Sequence, residues 1–310
     1  MTIGIEKIGW YISPESVNPL DKATQFGLSE DFIRKKTGFV ALARKAPSQK
    51  ASDLCVGAFD QLLTQVQSET ELADVDFLCV CTQNGDYQIP HTSAIVQDKL
   101  GFSNACAAFD ISLGCSGYVY ALHIAKSFME SSGLKKGLLF TSDPYSDIID
   151  PEDKNTVLIF GDAATVTLLS DTPVFDIRDG LFETHGNYHD HLIKRDQKNL
   201  VMNGRGIFNF TLSTAPDNID RCLNKNSLSK SDIDVFLLHQ ASKYIVDNLC
   251  RRLALAPEKV PFTAETHGNT VSSSIPLALR PFLDQTDCKH MLLCGFGVGL
   301  SIATTVLRRR

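Results

Sequence analysis

Short apolar runs alternate with segments of helical spacing along the middle of the chain. Two segments, 91–100 and 118–128, carry apolar side chains at helical intervals, and the first is predicted to stop at Gly101. The apolar runs predicted as strands lie at 75–81, 107–113 and 136–141. Continuous apolar strands separated by helices predict an α/β fold, with a mostly parallel sheet whose strands are buried on both faces.

The second half of the chain repeats the order of the first. Residues 76–79 resemble 234–237, which lie 158 positions later, and 138–140 resemble 292–294, which lie 154 positions later. A shared spacing of about half the chain predicts two copies of one α/β unit. We therefore expect an N-terminal half over 1–168 and a C-terminal half over 169–310.

Cys115 and Asn269 are also 154 positions apart, and each occupies a glycine-flanked turn. The repeat therefore predicts that they lie at equivalent helix starts and meet where the two halves join. His239 follows the apolar run that begins at Val235, and ligands of open α/β sheets bind beyond the carboxyl ends of the strands. We expect all three residues at one site.

Composition narrows the classes of function. The 310 residues carry a net charge of −6, and the only basic run is the final three arginines, so nucleic acid is not an expected partner. No apolar stretch approaches the ~20 residues of a membrane span, and the first residues lack the character of a signal peptide. Nine cysteines without a repeating spacing suit a reducing cytoplasm.

Three short segments carry the candidate chemistry, and each follows an apolar run predicted as a strand. They are Gly-Cys-Ser-Gly at 114–117, His-Gln-Ala-Ser at 239–242 and Gly-Asn-Thr at 268–270. A cysteine at a helix start is expected to be poised as a thiolate, because unpaired N–H groups and the helix dipole favour a negative sulfur. A histidine and an asparagine can each donate a hydrogen bond to an oxygen that gains charge. The set predicts an enzyme that handles acyl groups.

These segments, with three others, give the chain a family resemblance. It resembles the condensing enzymes of the thiolase superfamily, most closely the β-ketoacyl-acyl carrier protein synthase III branch. The motifs are Lys-Thr-Gly at 36–38, 110–117, Phe-Gly-Asp-Ala-Ala at 160–164, 238–241, His-Gly-Asn-Thr at 267–270 and Cys-Gly-Phe-Gly-Val-Gly at 294–299. The resemblance implies a five-layered αβαβα fold of two similar halves, a homodimer and a Cys-His-Asn site.

The resemblance also implies a role for each site residue. Cys115 would take the acyl group from acyl-CoA, with the backbone N–H groups of Cys115 and Val298 as the oxyanion hole. His239 and Asn269 would donate to the enolate that malonyl-acyl carrier protein forms on losing carbon dioxide. Phe296 would shield the cysteine from water. No metal or organic cofactor is implied, and the family usually has glycine where Val298 stands.

The expected substrate entrance departs from the family pattern. Phe32, Lys36 and Lys154 stand where the family commonly has a tryptophan and arginines, and lysine lacks the bidentate fork of arginine. Tyr244 stands where the family usually has another arginine. These differences fit a specialised paralogue at least as well as an enzyme that initiates fatty-acid synthesis. Tyr87 is expected near the dimer interface and the acyl pocket.

Three alternatives remain open at this stage. The same fold could pass the acyl group from Cys115 to an alcohol or amine, with His239 as the base, or serve as a non-catalytic interaction module. The histidines at 185, 189 and 191 could indicate a metal site, although a solvated loop is the favoured interpretation. The residues do not determine acyl length or pathway.

Overall fold

The computed structural model describes residues 2–66, 72, 74–196 and 198–310. The elements of the first part of the chain are β1 (Gly4–Ile12), β2 (Glu15–Val17), α1 (Pro19–Gln25), α2 (Glu30–Lys36), β3 (Leu42–Arg44), α3 (Ala51–Leu63), β4 (Phe77–Cys81), α4 (Thr92–Lys99), β5 (Ala107–Ile111), α5 (Gly117–Ser132), β6 (Lys136–Ser142), α6 (Lys154–Val157) and β7 (Ala163–Ser170). Those of the second part are β8 (Phe175–Thr184), β9 (Leu192–Lys194), β10 (Leu200–Met202), α7 (Gly204–Lys225), β11 (Val235–Leu238), α8 (Lys243–Arg252), α9 (Ser274–Leu279), β12 (His290–Gly297) and β13 (Ser301–Arg309). The predicted strands and helices at 75–141 are therefore confirmed, with shifted ends.

Nine strands form one sheet in the order β11-β12-β13-β8-β1-β7-β6-β4-β5. Among the described residues, three of its ladders are parallel and five are antiparallel. The prediction of a mostly parallel sheet is therefore wrong. It was drawn from β4, β5 and β6, which do run parallel, whereas β1, β7, β8 and β13 pair antiparallel with their neighbours.

The two ends of this sheet follow the same pattern. From the centre outwards, β1-β7-β6-β4 and β8-β13-β12-β11 each make two antiparallel ladders and then a parallel one. The halves meet where Gly4 and Ile5 of β1 pair with Asp176 and Phe175 of β8. A boundary at 168/169 stays a prediction, and β7 runs two residues past it to Ser170.

Helices lie between the two halves of the sheet and on both outer faces. α5 contacts β4 and β6 on one side and β12 and β13 on the other, and α9 contacts β7, β11 and β12. α3 and α4 cover the outer face of the first half, and α7 and α8 that of the second. Because burial of apolar side chains drives this layering, one hydrophobic cluster fills each of the two outer interlayer spaces, and a third surrounds the central helices between the two halves of the sheet. The five-layered αβαβα arrangement is confirmed.

β5 differs from its predicted environment. The run at 107–113 is predicted to be a buried strand, but β5 ends the sheet and, among the described residues, pairs only with β4. Four of its five residues are only half-buried. An apolar edge strand of this kind presents unpaired backbone groups to a partner.

No helix in the described part of the chain is both long enough and apolar enough to cross a membrane.

Candidate active site

One cavity of about 690 Å³ opens between α2, α7 and α8 and reaches the turn before α5. Its buried end is lined by Cys115, His239 and Asn269, which are at most 4% exposed. Three segments that are far apart in the chain are thus brought to one wall. The expectation that these residues lie together agrees with this placement.

Cys115 lies in the turn that joins β5 to α5, one residue before the N-cap of the helix. The Gly117 N–H donates to the Gly114 carbonyl across 2.7 Å, which closes the turn tightly. The end of β12 packs directly on the cysteine: a Cβ at Gly297 would lie 2.8 Å from the Cys115 sulfur, and one at Gly295 would lie 2.7 Å from the Cys115 carbonyl oxygen. Glycine is therefore required at both positions of β12 for this approach.

The charge state of Cys115 differs from the one predicted from its helix start. Burial and, to a smaller extent, the nearby Asp143 carboxylate raise the pKa of the Cys115 thiol to about 12, although the backbone N–H groups of Val298 and Cys115 oppose this shift. In this closed site the loss of hydration raises the pKa of the thiol more than the N-terminus of the helix lowers it. The resting group is therefore a thiol, and the expectation of a thiolate is wrong for the unliganded site.

A buried carboxylate links the end of β6 to two neighbouring segments of the site. Asp143, directly after β6, accepts hydrogen bonds from the Gln83 N–H at 2.7 Å and the Ser272 hydroxyl at 2.5 Å. Burial raises the pKa of Asp143 to about 6 in spite of these bonds. Asp143 thereby ties β6 to the segment that carries Asn269. The sequence analysis missed this residue, for which a lone Asp after an apolar run was the only signal.

His239 directly follows β11, and its backbone N–H donates to the Cys294 carbonyl at 2.9 Å. Its ring Nδ1 lies 2.6 Å from the Ser274 hydroxyl, and the Phe296 ring packs edge-on against the imidazole with centroids 5.5 Å apart. Burial lowers the pKa of His239 to about 3, and no carboxylate offsets this. His239 is therefore a neutral imidazole at physiological pH, with Nε2 left for a ligand.

Asn269 lies on a loop rather than after a strand. The run before it, 260–268, forms no strand in the structure, because Pro261 lacks a ladder donor and Gly268 has a φ of +81°. The backbone of Asn269 is instead held by an isolated parallel β-bridge to Phe160. The expectation of a strand before this segment is wrong, and α9 begins only at Ser274.

The carboxamide of Asn269 has a defined orientation. Its Oδ1 accepts a hydrogen bond from the Val271 N–H at 2.9 Å. Because the oxygen is engaged, the Nδ2 group remains as the donor that can serve a ligand in the cavity. His239 and Asn269 thus offer a ring nitrogen and an amide from one wall.

Two further predicted residues lie close to the cysteine. Phe296 is 1% exposed, lines the cavity and packs on His239. The Val298 side chain packs against Gly114: a Cβ added at Gly114 would lie 2.8 Å from Cγ1 of Val298. The valine thus fills space beside the nucleophile turn while its N–H points to the sulfur.

The mouth of the cavity combines aromatic rings with cations. Phe32, Lys36 and Lys154 all line it, in agreement with their predicted place at the entrance. The Lys36 ammonium lies 3.6 Å from the centroid of the Tyr244 ring, and that ring stacks on Phe208 with centroids 5.2 Å apart. Lys36 is therefore held over an aromatic wall by a cation–π contact.

Arg205 is a functional candidate that the sequence analysis passed over. The short Gly-Arg-Gly at 204–206 resembles no phosphate loop, yet the start of α7 places Arg205 on the cavity wall with an exposed guanidinium. Three basic residues beside the mouth form salt bridges with a carboxylate one helical turn away: Arg34 with Glu30, Lys35 with Asp31, and Lys243 with Asp247. Within the described ranges, Lys36, Lys154 and Arg205 have no such partner, so three cations face the mouth free to bind an anion.

Two predicted features lie elsewhere. Tyr87 is 57% exposed and covers the Lys50 ammonium at 3.7 Å, away from the residues that line this cavity. His185 is the N-cap of a short 3-10 helix, and His189 and His191 lie within that helix. The described part of the chain contains no cluster of three or more residues suited to a metal ion.

Comparisons with known proteins agree with this site. A family model described as "3-Oxoacyl-[acyl-carrier-protein (ACP)] synthase III" matches residues 109–186, and its C-terminal counterpart matches residues 223–309. A β-ketoacyl-[acyl-carrier-protein] synthase III of Lactobacillus helveticus is 30% identical over 318 residues, which cover 96% of this chain and 95% of the relative.

Solved structures give the same result. The β-ketoacyl-[acyl carrier protein] synthase III of Thermus thermophilus superposes with a TM-score of 0.92 at 29% identity and covers 99% of both chains. The priming β-ketosynthase of the R1128 polyketide biosynthetic pathway gives a TM-score of 0.89 at 25% identity, over 99% of this chain and 96% of that one. The chain therefore belongs to the β-ketoacyl-[acyl-carrier-protein] synthase III family of thiolase-superfamily condensing enzymes, which are transferases.

Proposed function

We propose that this protein condenses an acyl thioester of coenzyme A with malonyl-acyl carrier protein, through an acyl group held on Cys115. The observation that carries the proposal is the meeting of Cys115, His239 and Asn269 at the buried end of one cavity. A nucleophile beside two neutral hydrogen-bond donors suits chemistry that passes through an oxyanion and an enolate.

In the first half-reaction the Cys115 sulfur bonds to the carbonyl carbon of acyl-CoA, and the bond from that carbon to the CoA sulfur breaks. The thiol proton of Cys115 leaves with the released CoA thiol. The N–H groups of Cys115 and Val298 donate to the oxyanion, and the Val298 N–H already points at this sulfur. The raised pKa of the thiol means that the proton departs as the acyl donor arrives rather than before.

In the second half-reaction the malonyl thioester loses carbon dioxide, and the electron pair of the broken bond forms an enolate. His239 through Nε2 and Asn269 through Nδ2 donate to the enolate oxygen. The enolate carbon then bonds to the acyl carbonyl carbon, and the bond from that carbon to the Cys115 sulfur breaks. The departing sulfur takes up a proton from solvent, which restores the thiol and leaves the β-ketoacyl thioester as product. The loss of carbon dioxide supplies the carbanion, so these steps draw on no metal or organic cofactor.

Transfer of the acyl group to an alcohol or amine is the less favoured function. That reaction asks His239 to remove a proton from the acceptor, but burial lowers the pKa of His239 to about 3. A group that weakly basic is a poor general base near neutral pH. The Asn269 amide cannot act as a base near neutral pH either.

The mouth of the cavity is suited to bind a thioester that carries a phosphate. Lys36, Lys154 and Arg205 lie there without a carboxylate partner among the described residues, and Phe32 is 44% exposed and available to stack. Phosphate contacts from lysine are less directional than those from arginine. We therefore assign the donor arm to this mouth and favour a specialised paralogue over an enzyme that initiates fatty-acid synthesis.

A homodimer is part of the proposal. The β5 edge is apolar and unpaired on one side, and Tyr87 and Ile89 are 57% and 85% exposed. Ile124 and Phe182 add further apolar surface. Joining two β5 edges would satisfy their backbone groups and would let the Tyr87 segment approach the acyl pocket of the partner. We also assign the protein to the cytoplasm, because all nine cysteines are unpaired.

Intact-mass spectrometry tests the proposal. Incubation with an acyl-CoA should add one acyl mass to the parent protein and none to Cys115→Ala. Subsequent malonyl-acyl carrier protein should remove that mass and release carbon dioxide with a β-ketoacyl product. Acyl transfer to an alcohol or amine without carbon dioxide would instead establish the less favoured function.

A further inference from the structure

Three consecutive serines follow Asn269, and each has a different partner. The Ser272 hydroxyl donates to Asp143, and the Ser273 hydroxyl contacts the Thr141 hydroxyl at 2.8 Å. Those two partners belong to the N-terminal half of the chain. The Ser274 hydroxyl instead lies 2.6 Å from Nδ1 of His239, in the C-terminal half. Ser274 is 1% exposed and begins α9.

The direction of this hydrogen bond follows from the available acceptors. In the described part of the chain, His239 is the sole recorded partner of the Ser274 hydroxyl. If Nδ1 carried the proton and donated, the buried Ser274 O–H would have no acceptor, which is unfavourable. If Ser274 donates, both groups are satisfied, and the imidazole proton lies on Nε2.

We propose that Ser274 is a positioning residue that holds His239 in the tautomer with its proton on Nε2, where it donates to the enolate. This rests on the function proposed above. Ser274 touches neither substrate nor the reacting sulfur; it acts through the ring of His239. The second nitrogen of a functional histidine is commonly set by such a partner.

The tautomer matters for only one of the two half-reactions. Acyl loading uses the N–H groups of Cys115 and Val298, which Ser274 does not contact. Decarboxylation needs a donor at the enolate oxygen, and the opposite tautomer of His239 would present a lone pair there. Removal of the Ser274 hydroxyl should therefore slow decarboxylation and leave acyl loading nearly unchanged.

The kinetic experiment compares Ser274→Ala with Ser273→Ala, a neighbouring buried serine that loses a hydrogen bond without touching His239. On pre-acylated protein, Ser274→Ala should lower kcat for malonyl decarboxylation ~10-fold or more. KM for malonyl-acyl carrier protein and the rate of acyl loading should stay within about 3-fold of the parent. Ser273→Ala should decarboxylate near the parent rate, and Ser274→Thr should recover much of the loss. Parent-like decarboxylation by Ser274→Ala, or an equal loss in Ser273→Ala, overturns the proposal.

Nitrogen-15 NMR on histidine-labelled protein gives a test whose readout comes from the parent enzyme, with a variant used only to assign the signal. His239, assigned by its absence in His239→Gln, should show Nε2 as the protonated nitrogen and Nδ1 as the acceptor. A protonated Nδ1 in the resting enzyme contradicts the assignment even if condensation is observed. Conversely, a parent protein that never acylates removes the proposed function while the NMR result still stands.

Discussion

The two ends of the active-site cavity are built on different principles. At the buried end, Cys115, His239 and Asn269 are held by backbone and hydroxyl partners within narrow limits. At the mouth, Lys36, Lys154 and Arg205 are exposed or held only against a ring. The buried end determines which bonds are made and broken, whereas the mouth determines which thioester is retained. The contrast predicts that substitutions at the two ends affect different kinetic constants.

The largest effects are expected from the two donors at the buried end. His239→Ala and Asn269→Ala should each lower kcat for malonyl decarboxylation ~10²–10³-fold, because an oxyanion donor contributes ~3 kcal/mol in the transition state. Acyl loading of Cys115 should persist in both variants. The measurement is carbon dioxide release from pre-acylated protein.

His123→Gln is the control for the histidine, since His123 is half-buried and its ring bonds Thr305, which does not line the cavity. This variant should release carbon dioxide at close to the parent rate. Normal decarboxylation by both site variants would remove His239 and Asn269 from the mechanism. Collapse of acyl loading alone would move their role to the first half-reaction.

The next effect concerns how tightly β12 packs on the nucleophile. In Gly297→Ala the new Cβ would lie 2.8 Å from the Cys115 sulfur, so the sulfur must shift. A displacement of this kind near the reacting atoms can cost ~10²-fold in rate. The rate of acyl-enzyme formation, followed by intact mass, is the direct measurement.

Gly186→Ala is the control for the added methyl group, because a Cβ there meets no atom within 4 Å. That variant should acylate at the parent rate and melt at the parent temperature. A parent-like rate in Gly297→Ala would mean that the sulfur has more freedom than the close packing indicates, and the contrast between the ends would weaken.

These buried-end features show what the sequence could and could not predict. The residues of the three motifs were identified because glycine-flanked turns and strand ends have local signatures. The charge state of Cys115 was predicted in the wrong direction because it depends on burial by Phe296 and Gly297, which come from the other half of the fold. Asp143 and Ser274 were missed for the same reason, since their partners are more than 30 residues away.

The mouth and the sheet add two further lessons. The family resemblance could place Lys36 near the entrance but could not show that Tyr244 lies under its ammonium. The antiparallel strands β1, β7, β8 and β13 were not analysed as strands, so the sheet was predicted to be mostly parallel. Pairing direction is a property of tertiary packing that no single apolar run encodes.

At the mouth, substitutions should change KM with little change in kcat. Arg205→Gln and Lys154→Gln should each raise KM for acyl-CoA ~3–10-fold, because each removes one charge-assisted contact worth ~1 kcal/mol when exposed. Salt should reduce this difference, since exposed charges are screened within ~10 Å at 0.1 M. Steady-state kinetics at low and high ionic strength measure both effects.

Lys35→Gln controls for the loss of one positive charge near the mouth. Lys35 already pairs with Asp31 at 2.9 Å, and both side chains are exposed. KM for acyl-CoA should stay within about 2-fold of the parent in this variant. An equal rise in all three variants would indicate a general field effect rather than contacts made by Arg205 and Lys154.

The smallest expected effect is the response of decarboxylation to pH. Burial lowers the pKa of His239 to about 3 from its ordinary value of 6.5, so the folded enzyme keeps the imidazole neutral at every pH well above 3. An ordinary histidine would instead gain a proton as pH falls through 6.5, and an imidazolium would donate more strongly to the enolate. The decarboxylation rate of pre-acylated protein should therefore change less than about 2-fold between pH 7 and 8.5, above the pKa of about 6 to which burial raises Asp143, provided malonyl-acyl carrier protein is saturating. Saturation matters because the charged groups lie at the mouth, so a change of solution conditions could alter substrate binding there and mask the response of the buried end.

A rate that titrates near pH 6.5 and loses this titration in His239→Gln would show that His239 is hydrated in the working enzyme. It would also show that the buried end is less closed than the packing of Phe296 on the imidazole indicates.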